Sequence, residues 1–217
     1  MTYIIAIDGP SGSGKSTISN KLAEILDIEY LNTGSMYRVA TLYFLENSLD
    51  ENSTDEKVKK ALDNININFI NNEIYLNGKN VEKEIRNDLI TKNVSWVSAN
   101  ASVRKRLVDM QREIADEKSF VLDGRDIGTV VFPNAKYKFY LTANARQRAI
   151  RRFEQNESNL SVDEIEKAII ARDNYDSSRK ISPLKKADDA IEIDNSDLNI
   201  KQTIDLILEN LDEKDAL

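Results

Sequence analysis

The chain has 217 residues, of which 41% are hydrophobic and 31% charged, and its formal net charge is -7. This composition predicts one compact domain, and the acidic balance is not typical of a general nucleic-acid binder. The absence of cysteine and histidine excludes disulfides, thiol nucleophiles and cysteine-ligated zinc, and it removes the commonest general base. No run approaches the ~20 apolar residues of a membrane span, and no signal peptide is recognisable, so we expect a cytoplasmic protein.

The first predicted element is a buried strand over residues 3–7, followed by a glycine-rich segment and a helix. The segment matches the pattern G-x-x-x-x-G-K-[ST] and consists of Gly9, Pro10, Ser11, Gly12, Ser13, Gly14, Lys15, Ser16 and Thr17. Glycines let successive N–H groups converge on an anion at a helix N-terminus. We expect Lys15 to contact the β and γ phosphates of a nucleotide and Ser16 to ligate Mg²⁺. The alternative is a glycine-rich connection without a ligand.

A second strand is predicted at residues 29–31, before a helix over residues 35–46. The segment between them lies on the same carboxyl edge of the sheet as the glycine-rich loop. Arg38 therefore faces the nucleotide side, where its guanidinium suits a second phosphate. The alternative is a solvated helix arginine.

The next region breaks the alternation of strands and helices. Residues 65–70 and 73–76 show β-type alternation across Asn71 and Asn72, which predicts a hairpin, and a helical pattern resumes from about residue 88 to residue 100. We expect an inserted antiparallel subdomain over about residues 63–101.

A helix over residues 103–117 and a strand over residues 120–122 lead into the sequence Asp123-Gly-Arg125-Asp126. Asp123 stands where such folds keep a carboxylate near Mg²⁺, and Arg125 could neutralise a phosphate. The alternative is a turn in which Asp123 and Asp126 bond to nearby backbone N–H groups.

The last third begins with a predicted strand at residues 137–141 and an arginine-rich helix. A further helix begins at a capping box formed by Ser161 and Glu164 and runs to about residue 171. Arg148 and Arg152 repel each other at i,i+4, and a bound triphosphate would remove that cost. A solvated arginine-rich face and ordinary ion pairs among Arg172, Asp176 and Arg179 are the alternatives. A strand at residues 190–193 and a helix at residues 200–211 complete an α/β fold with a five-stranded parallel sheet.

Four motifs resemble bacterial cytidylate kinases over essentially the whole chain. They are the loop over residues 9–16, Thr33-Gly34 with Tyr37-Arg38, the segment 123–133, and Arg172-Asp173 with Asp176 and Arg179. The resemblance implies a P-loop NTPase fold with a core at residues 1–62, 102–145 and 185–217. It also implies a monophosphate-binding insert at residues 63–101 and a lid with ribose- and phosphate-binding helices at residues 146–184.

This resemblance implies that the γ-phosphoryl group of ATP is transferred to CMP or dCMP, with Mg²⁺ present. The acceptor-binding residues would be Thr33 together with a cytosine-reading set of Ser95, Arg104 and Asp126, a ribose set of Tyr37, Arg172 and Asp176, and a phosphate set of Arg38, Arg125 and Arg179. The charge-stabilising residues would be Lys15, Arg125, Arg148, Arg152 and Arg179. Arg148, Arg151 and Arg152 would lie in a short mobile lid over ATP, and Ser16 and Asp123 would hold the metal.

Phosphoryl transfer needs positioning and charge neutralisation rather than a side-chain nucleophile, so it suits a chain without histidine or cysteine. The alternatives are a P-loop kinase for another monophosphate or a small metabolite, a nucleotide-dependent switch, and an inactive nucleotide-binding regulator. A GTPase is disfavoured because the chain has no Asn-Lys-x-Asp motif. We expect a monomer whose partners are ATP, CMP and dCMP, with no nucleic acid and no membrane.

Overall fold

The computed structural model describes residues 2–70, 73–155, 160–212 and 215. The chain forms two compact units, which are Met1–Asn32 with Ile114–Leu217 (unit 1) and Thr33–Glu113 (unit 2). The predicted insert over residues 63–101 lies within unit 2, and its boundaries remain a prediction.

Strands and helices alternate at both ends of the chain. The strands are β1 (Ile4–Asp8), β2 (Glu29–Asn32), β3 (Ile67–Ile70), β4 (Glu73–Leu76), β5 (Lys79–Asn80), β6 (Phe120–Gly124), β7 (Tyr137–Thr142) and β8 (Ile191–Asp194). The helices are α1 (Lys15–Leu26), α2 (Thr33–Glu46), α3 (Asp55–Leu62), α4 (Asp88–Ala99), α5 (Ala101–Ile114), α6 (Ala145–Glu154), α7 (Val162–Ser177) and α8 (Ile200–Leu208). A 3₁₀ turn at Glu84–Arg86 and a π-helix at Ile127–Val131 complete the regular structure of the described residues.

Unit 1 contains a five-stranded sheet in the order β2-β6-β1-β7-β8, with every neighbouring pair parallel. This confirms the predicted fold class. In the register of the sheet, Asp8 lies beside Gly124 and Asn32 lies beside Asp123. The segments that follow β1, β2 and β6 therefore begin at one carboxyl edge of the sheet.

Apolar residues of β1, β6, β7 and α1 form the core of unit 1. The cluster includes Ile5, Ile7, Leu22, Phe139 and Leu141, each at most 1% exposed. Helix α1 packs against β1, β2, β6 and α8. Burial of each such side chain contributes about 1.5–3 kcal/mol to the stability of the folded state relative to exposure. The sheet is therefore a stable support for the loops at its edge.

Unit 2 contains the predicted hairpin, in which β3 and β4 pair antiparallel with Ile67 opposite Leu76. Its predicted turn, Asn71–Asn72, lies outside the described residues. Strand β5 was not predicted; it follows a tight turn at Gly78, whose φ is +83°. Helix α2 packs against α3, α4 and β4 of the same unit.

The last third of unit 1 carries the packed helices α6 and α7. The predicted capping box is confirmed, because Ser161 and Glu164 bond reciprocally to each other's backbone N–H. Helix α7 runs to Ser177, six residues beyond the predicted end, because 172–177 continue the helical pattern in polar residues. In the part of the chain that the structure describes, no helix has the length and apolar character needed to cross a bilayer.

Candidate active site

The glycine-rich loop joins β1 to α1, as predicted. Gly9 has a φ of +148°, and a Cβ built on it would lie 2.0 Å from the carbonyl oxygen of Leu141 in β7. Gly12 has a φ of +77°, and its Cβ would lie 3.2 Å from Cβ of Arg148. The loop can therefore take this path only with glycine at these two positions.

Side chains of unit 1 hold the carbonyl oxygens of the loop. Arg148 donates to the Ser11 oxygen at 2.8 Å, and Asn195 donates to the Ser13 oxygen at 2.9 Å. Asp173 accepts from the Ser11 N–H at 3.2 Å and from Arg148 at 2.6 Å. In a trans peptide the C=O and the following N–H point in opposite directions, so the N–H of the next glycine in each case turns away from these side chains. This arrangement suits anion binding by backbone N–H groups.

Lys15 is 5% exposed and its Nζ lies within the loop. It donates to the Pro10 oxygen at 2.6 Å and to the Ser13 hydroxyl at 3.3 Å. Burial lowers the pKa of the Lys15 ammonium and Arg125 lowers it further, whereas Asp123 and two other carboxylates raise it. The loop thus surrounds a desolvated cation for which an anion is the natural partner.

A second polar cluster lies where β6 ends. The Ser16 hydroxyl donates to Oδ2 of Asp123 at 2.9 Å, and the Tyr30 hydroxyl donates to Oδ1 at 2.8 Å. Asn32 donates to the Ser16 hydroxyl at 3.3 Å. Burial raises the pKa of Asp123, and the charge of Lys15 opposes that rise. The two residues predicted to hold a metal are therefore brought together.

Three arginines surround Asp176, which is 1% exposed on α7. Arg125 donates to its Oδ2 at 3.1 Å, and Arg179 bonds to its Oδ1. Nε of Arg172 lies 3.9 Å from Oδ2. One carboxylate thus faces three guanidinium groups. Arg172, Asp176 and Arg179 were also considered as ordinary surface ion pairs, but their side chains are mostly buried.

Helix α6 holds the arginines that were predicted to form a lid. Arg148 is 6% exposed and pairs with Asp173, so a carboxylate of the chain already offsets part of the charge for which a bound triphosphate was predicted. Arg151 donates to the side chain and the carbonyl oxygen of Asn195. Arg152 is half-buried and makes no side-chain hydrogen bond or ion pair with any residue that the structure describes. The roles of all three in ATP binding remain predictions.

In unit 2, Arg38 and Thr33 belong to α2. Arg38 donates to the Ile85 carbonyl at 2.9 Å and to the Thr91 hydroxyl at 3.2 Å. Thr33 is 3% exposed at the start of the helix. The alternative of a solvated Arg38 is wrong, since two contacts within unit 2 fix its guanidinium.

Arg104 of α5 lies over the ring of Tyr37, with Cζ 5.3 Å from the ring centroid. It also donates to the Ser98 carbonyl at 3.1 Å, and it is 3% exposed. Ser95 is half-buried on α4, and its carbonyl accepts from the Ser98 hydroxyl. The predicted base-reading residues of unit 2 thus lie on neighbouring helices.

Sequence reasoning gave no role to Asp8, Tyr30, Asp173 or Asn195, although each contacts a segment at the site. Asp8 ends β1, and Asn195 directly follows β8, so their position at the carboxyl ends of strands was an available signal. Asp173 stood within a motif, but side-chain direction on α7 could not be read from it. The contact of Tyr30 with Asp123 had no sequence signal.

A parallel sheet whose first strand leads into a glycine-rich loop around a buried lysine, with an arginine cluster in the same unit, defines a P-loop nucleotide kinase. The family model described as "Cytidylate kinase" matches residues 5–213. The chain belongs to the cytidylate kinase family and is an enzyme of the kinase class.

Relatives of similar length support this assignment. A cytidylate kinase of Fusobacterium nucleatum is 46% identical over 97% of this chain and 97% of its own. One from Acholeplasma laidlawii is 43% identical over 95% and 94%. A solved structure of an uncharacterized protein from Eubacterium ventriosum is 16% identical, covers 98% of this chain and 99% of its own, and has a TM-score of 0.53. That likeness concerns the fold alone.

Proposed function

We propose that this enzyme transfers the γ-phosphoryl group of ATP to CMP or dCMP, giving ADP and the corresponding diphosphate. The observation that carries the proposal is the presence, in one unit, of a loop suited to a nucleoside triphosphate and an arginine cluster suited to a second phosphate. Family membership supports cytosine as the base of the acceptor nucleotide. A cytoplasmic location and a monomeric state remain predictions.

The donor ATP is assigned to the loop over residues 9–17. The backbone N–H groups of the loop would bind the phosphates, and Lys15 would exchange its contact with the Pro10 carbonyl for phosphate oxygens. Arg152 lacks an ion pair with the described residues, which suits it to a phosphate that arrives with ATP. Arg148 supports the same site by donating to the Ser11 carbonyl of the loop. Arg151 supports it indirectly by donating to the side chain of Asn195.

The hydroxyl of Ser16 and the carboxylate of Asp123 fit a Mg²⁺ ion. Both are hard oxygen ligands, and the 2.9 Å between them is close to the spacing of adjacent ligands in an octahedron with metal–oxygen bonds of about 2.1 Å. The described residues contain no group of three His, Cys, Asp or Glu that could hold a metal. Most ligands would then come from phosphates and water, as Mg²⁺ prefers. When bound, the ion neutralises charge on the phosphates.

The acceptor phosphate is assigned to Arg125 and Arg179 in unit 1 and to Arg38 in unit 2. The guanidinium groups gathered around Asp176 suit the oxygens of a phosphate, which they can pair with bidentately. The ribose is assigned to Tyr37, Arg172 and Asp176, since a carboxylate and a guanidinium can pair with sugar hydroxyls.

The cytosine is assigned to Ser95 and Arg104 of unit 2 and to Asp126 of unit 1. A carboxylate accepts from the exocyclic amine of cytosine but is repelled by the carbonyl that uracil has there. Asp126 is 4% exposed, so such repulsion would be weakly screened by solvent.

The transfer itself needs no side-chain nucleophile. An acceptor phosphate oxygen is already an anion and attacks the γ phosphorus in line, while Lys15 and the arginines stabilise the developing charge. This agrees with a chain that has no histidine and no cysteine.

The test is ADP production by the purified protein with ATP and Mg²⁺, with CMP, dCMP, UMP, AMP, GMP and dTMP offered separately. We expect turnover with CMP and dCMP. Lys15→Met should lower kcat at least about 100-fold, as loss of a transition-state contact does. The matched control is Arg146→Gln on α6, because Arg146 is exposed and pairs with the carboxylates of Asp163 and Glu166.

Preferred turnover of another monophosphate would keep the phosphoryl-transfer mechanism and overturn the base assignment. Absence of turnover with every acceptor would favour a metabolite kinase or a regulator. Unchanged kcat in Lys15→Met would refute the assignment of the donor loop.

A further inference from the structure

The segment that carries Arg125 and Asp126 continues into an unusual turn. Residues Ile127–Val131 form a π-helix in which Val130 and Val131 both donate to the Asp126 carbonyl, at 2.9 and 3.2 Å. Single π turns are rare because their backbone geometry is less favourable than that of an α-helix, and they often lie at functional sites. Such a turn needs support from the surrounding structure.

Asp8 supports the N-terminal end of this turn. One carboxylate oxygen accepts from the Ile127 N–H at 2.8 Å, and the other accepts from the Gly128 N–H at 2.8 Å. The first N–H groups of a helical turn have no partner within the turn, so a carboxylate at that point satisfies them and opposes the local dipole. Asp8 is 4% exposed at the end of β1, so water replaces these bonds poorly.

Lys138 supports the other end of the segment. Its Nζ donates to the Pro133 carbonyl at 2.5 Å and to Asp189 at 2.6 Å, and its side chain is 7% exposed. A Cβ built on Gly128 would lie 3.1 Å from Cδ of Lys138 and 3.5 Å from Oδ2 of Asp8. The segment is therefore packed between a carboxylate from β1 and an ammonium from β7.

We propose that Asp8 and Lys138 are positioning residues for the acceptor nucleotide, because together they fix both ends of the segment that presents Arg125 and Asp126. The inference rests on the proposed function. Asp8 bonds to the two N–H groups that directly follow Asp126, so loss of those bonds lets the peptide after Asp126 rotate and moves its carboxylate. The donor loop has its own supports in Arg148, Asp173 and Asn195, which this change leaves in place.

The experiment compares Asp8→Asn and Lys138→Met with the wild-type enzyme in steady-state assays that vary CMP, UMP and ATP in turn. Asn keeps the shape of Asp but turns one acceptor into a donor, and Met keeps the stem of Lys without its charge. Misplacement of a binding group by a fraction of an ångström should raise the KM for CMP about tenfold. The KM for ATP should change by less than about twofold, and the preference for CMP over UMP should fall in both variants.

Lys136→Met is the matched control, since Lys136 lies just before the same strand and pairs instead with Asp212 and Asp215. Its KM for CMP should remain unchanged. A purely structural role for Asp8 and Lys138 would lower kcat through loss of folded enzyme and leave both KM values unchanged. That result, or an equal rise of both KM values, would overturn the inference. If Asp8→Asn does not fold, Lys138→Met decides alone.

Asp126→Ala separates this inference from the proposed function. An unchanged preference for CMP over UMP in Asp126→Ala would refute base reading by Asp126. The positioning role of Asp8 and Lys138 would then still be tested by the KM for CMP in Lys138→Met, since that role also acts through Arg125. A changed preference in Asp126→Ala, with wild-type kinetic constants in Asp8→Asn and Lys138→Met, would refute the positioning role alone and leave the proposed function in place.

Discussion

The buried carboxyl of Asp8 should make the stability of the enzyme depend on pH. The pKa of Asp8 is raised from 3.8 to about 7, mainly by desolvation and to a lesser extent by the charge of Asp126. The N–H groups of Gly128 and Ile127 and the charge of Lys15 act in the opposite direction. In the unfolded chain the same carboxyl titrates near its ordinary value.

The sign of the effect follows from proton binding. Between about pH 4 and pH 7 the folded state keeps the proton on Asp8 and the unfolded state has lost it, so the folded state is stabilised by acid. The contribution is fully present below pH 3.8 and is lost as pH rises through about 7. Between pH 5 and pH 8 it falls by about 2.5 kcal/mol, since each pH unit below about 7 changes the free energy by about 1.4 kcal/mol and the change levels off above that pH.

The perturbation is Asp8→Asn, which removes the titration and keeps the side-chain size. Urea unfolding of both proteins at pH 5, 6, 7 and 8 gives the free energy of unfolding at each pH. The stability of wild type minus that of Asp8→Asn should fall by about 2.5 kcal/mol from pH 5 to pH 8. Other groups cancel in this difference. A difference that stays constant within about 0.5 kcal/mol would refute a raised pKa for Asp8.

Two further predictions concern the donor loop. Gly9→Ala should lose about 3 kcal/mol of stability and bind ATP poorly, because its Cβ would lie 2.0 Å from the Leu141 oxygen, whereas Gly78→Ala, also at positive φ but with open space, should lose only about 1 kcal/mol in urea unfolding. Equal losses in the two variants would contradict the role of the close approach. Asp173→Asn should raise the KM for ATP about fivefold without affecting the KM for CMP, because it weakens the hold on the Ser11 N–H; a rise confined to CMP would show that this reasoning is wrong.

The sheet could be predicted from sequence because its strands are short buried runs with clear flanking signals. Period and burial located all five parallel strands of unit 1, with bounds that differ from the structure by one or two residues; β1, for example, begins and ends one residue later than predicted. The contact between Ser16 and Asp123 followed from the rule that parallel strands end at one edge. Topology thus predicted that these two side chains lie together, while their role in holding a metal stays a prediction.

The contacts around the donor loop could not be predicted, since they depend on side-chain direction. A helical wheel groups Arg148 with Arg152, yet tertiary packing directs Arg148 to Asp173 and to the Ser11 carbonyl. Strand β5 has only two residues, too few for a periodic signal. Packing of α7 decided which of its charged residues are buried, and spacing along the helix did not reveal it.

Helix α7 carries Asp173, which holds the donor loop, and Asp176, which gathers the acceptor arginines. Three residues along a helix rise about 4.5 Å, so the two carboxylates lie on one rigid rod less than one turn apart. A displacement of α7 along its axis therefore moves both carboxylates together, whereas a substitution at either one acts on its own contacts alone. Motion of this helix would couple the Ser11 segment of the glycine-rich loop to Arg125.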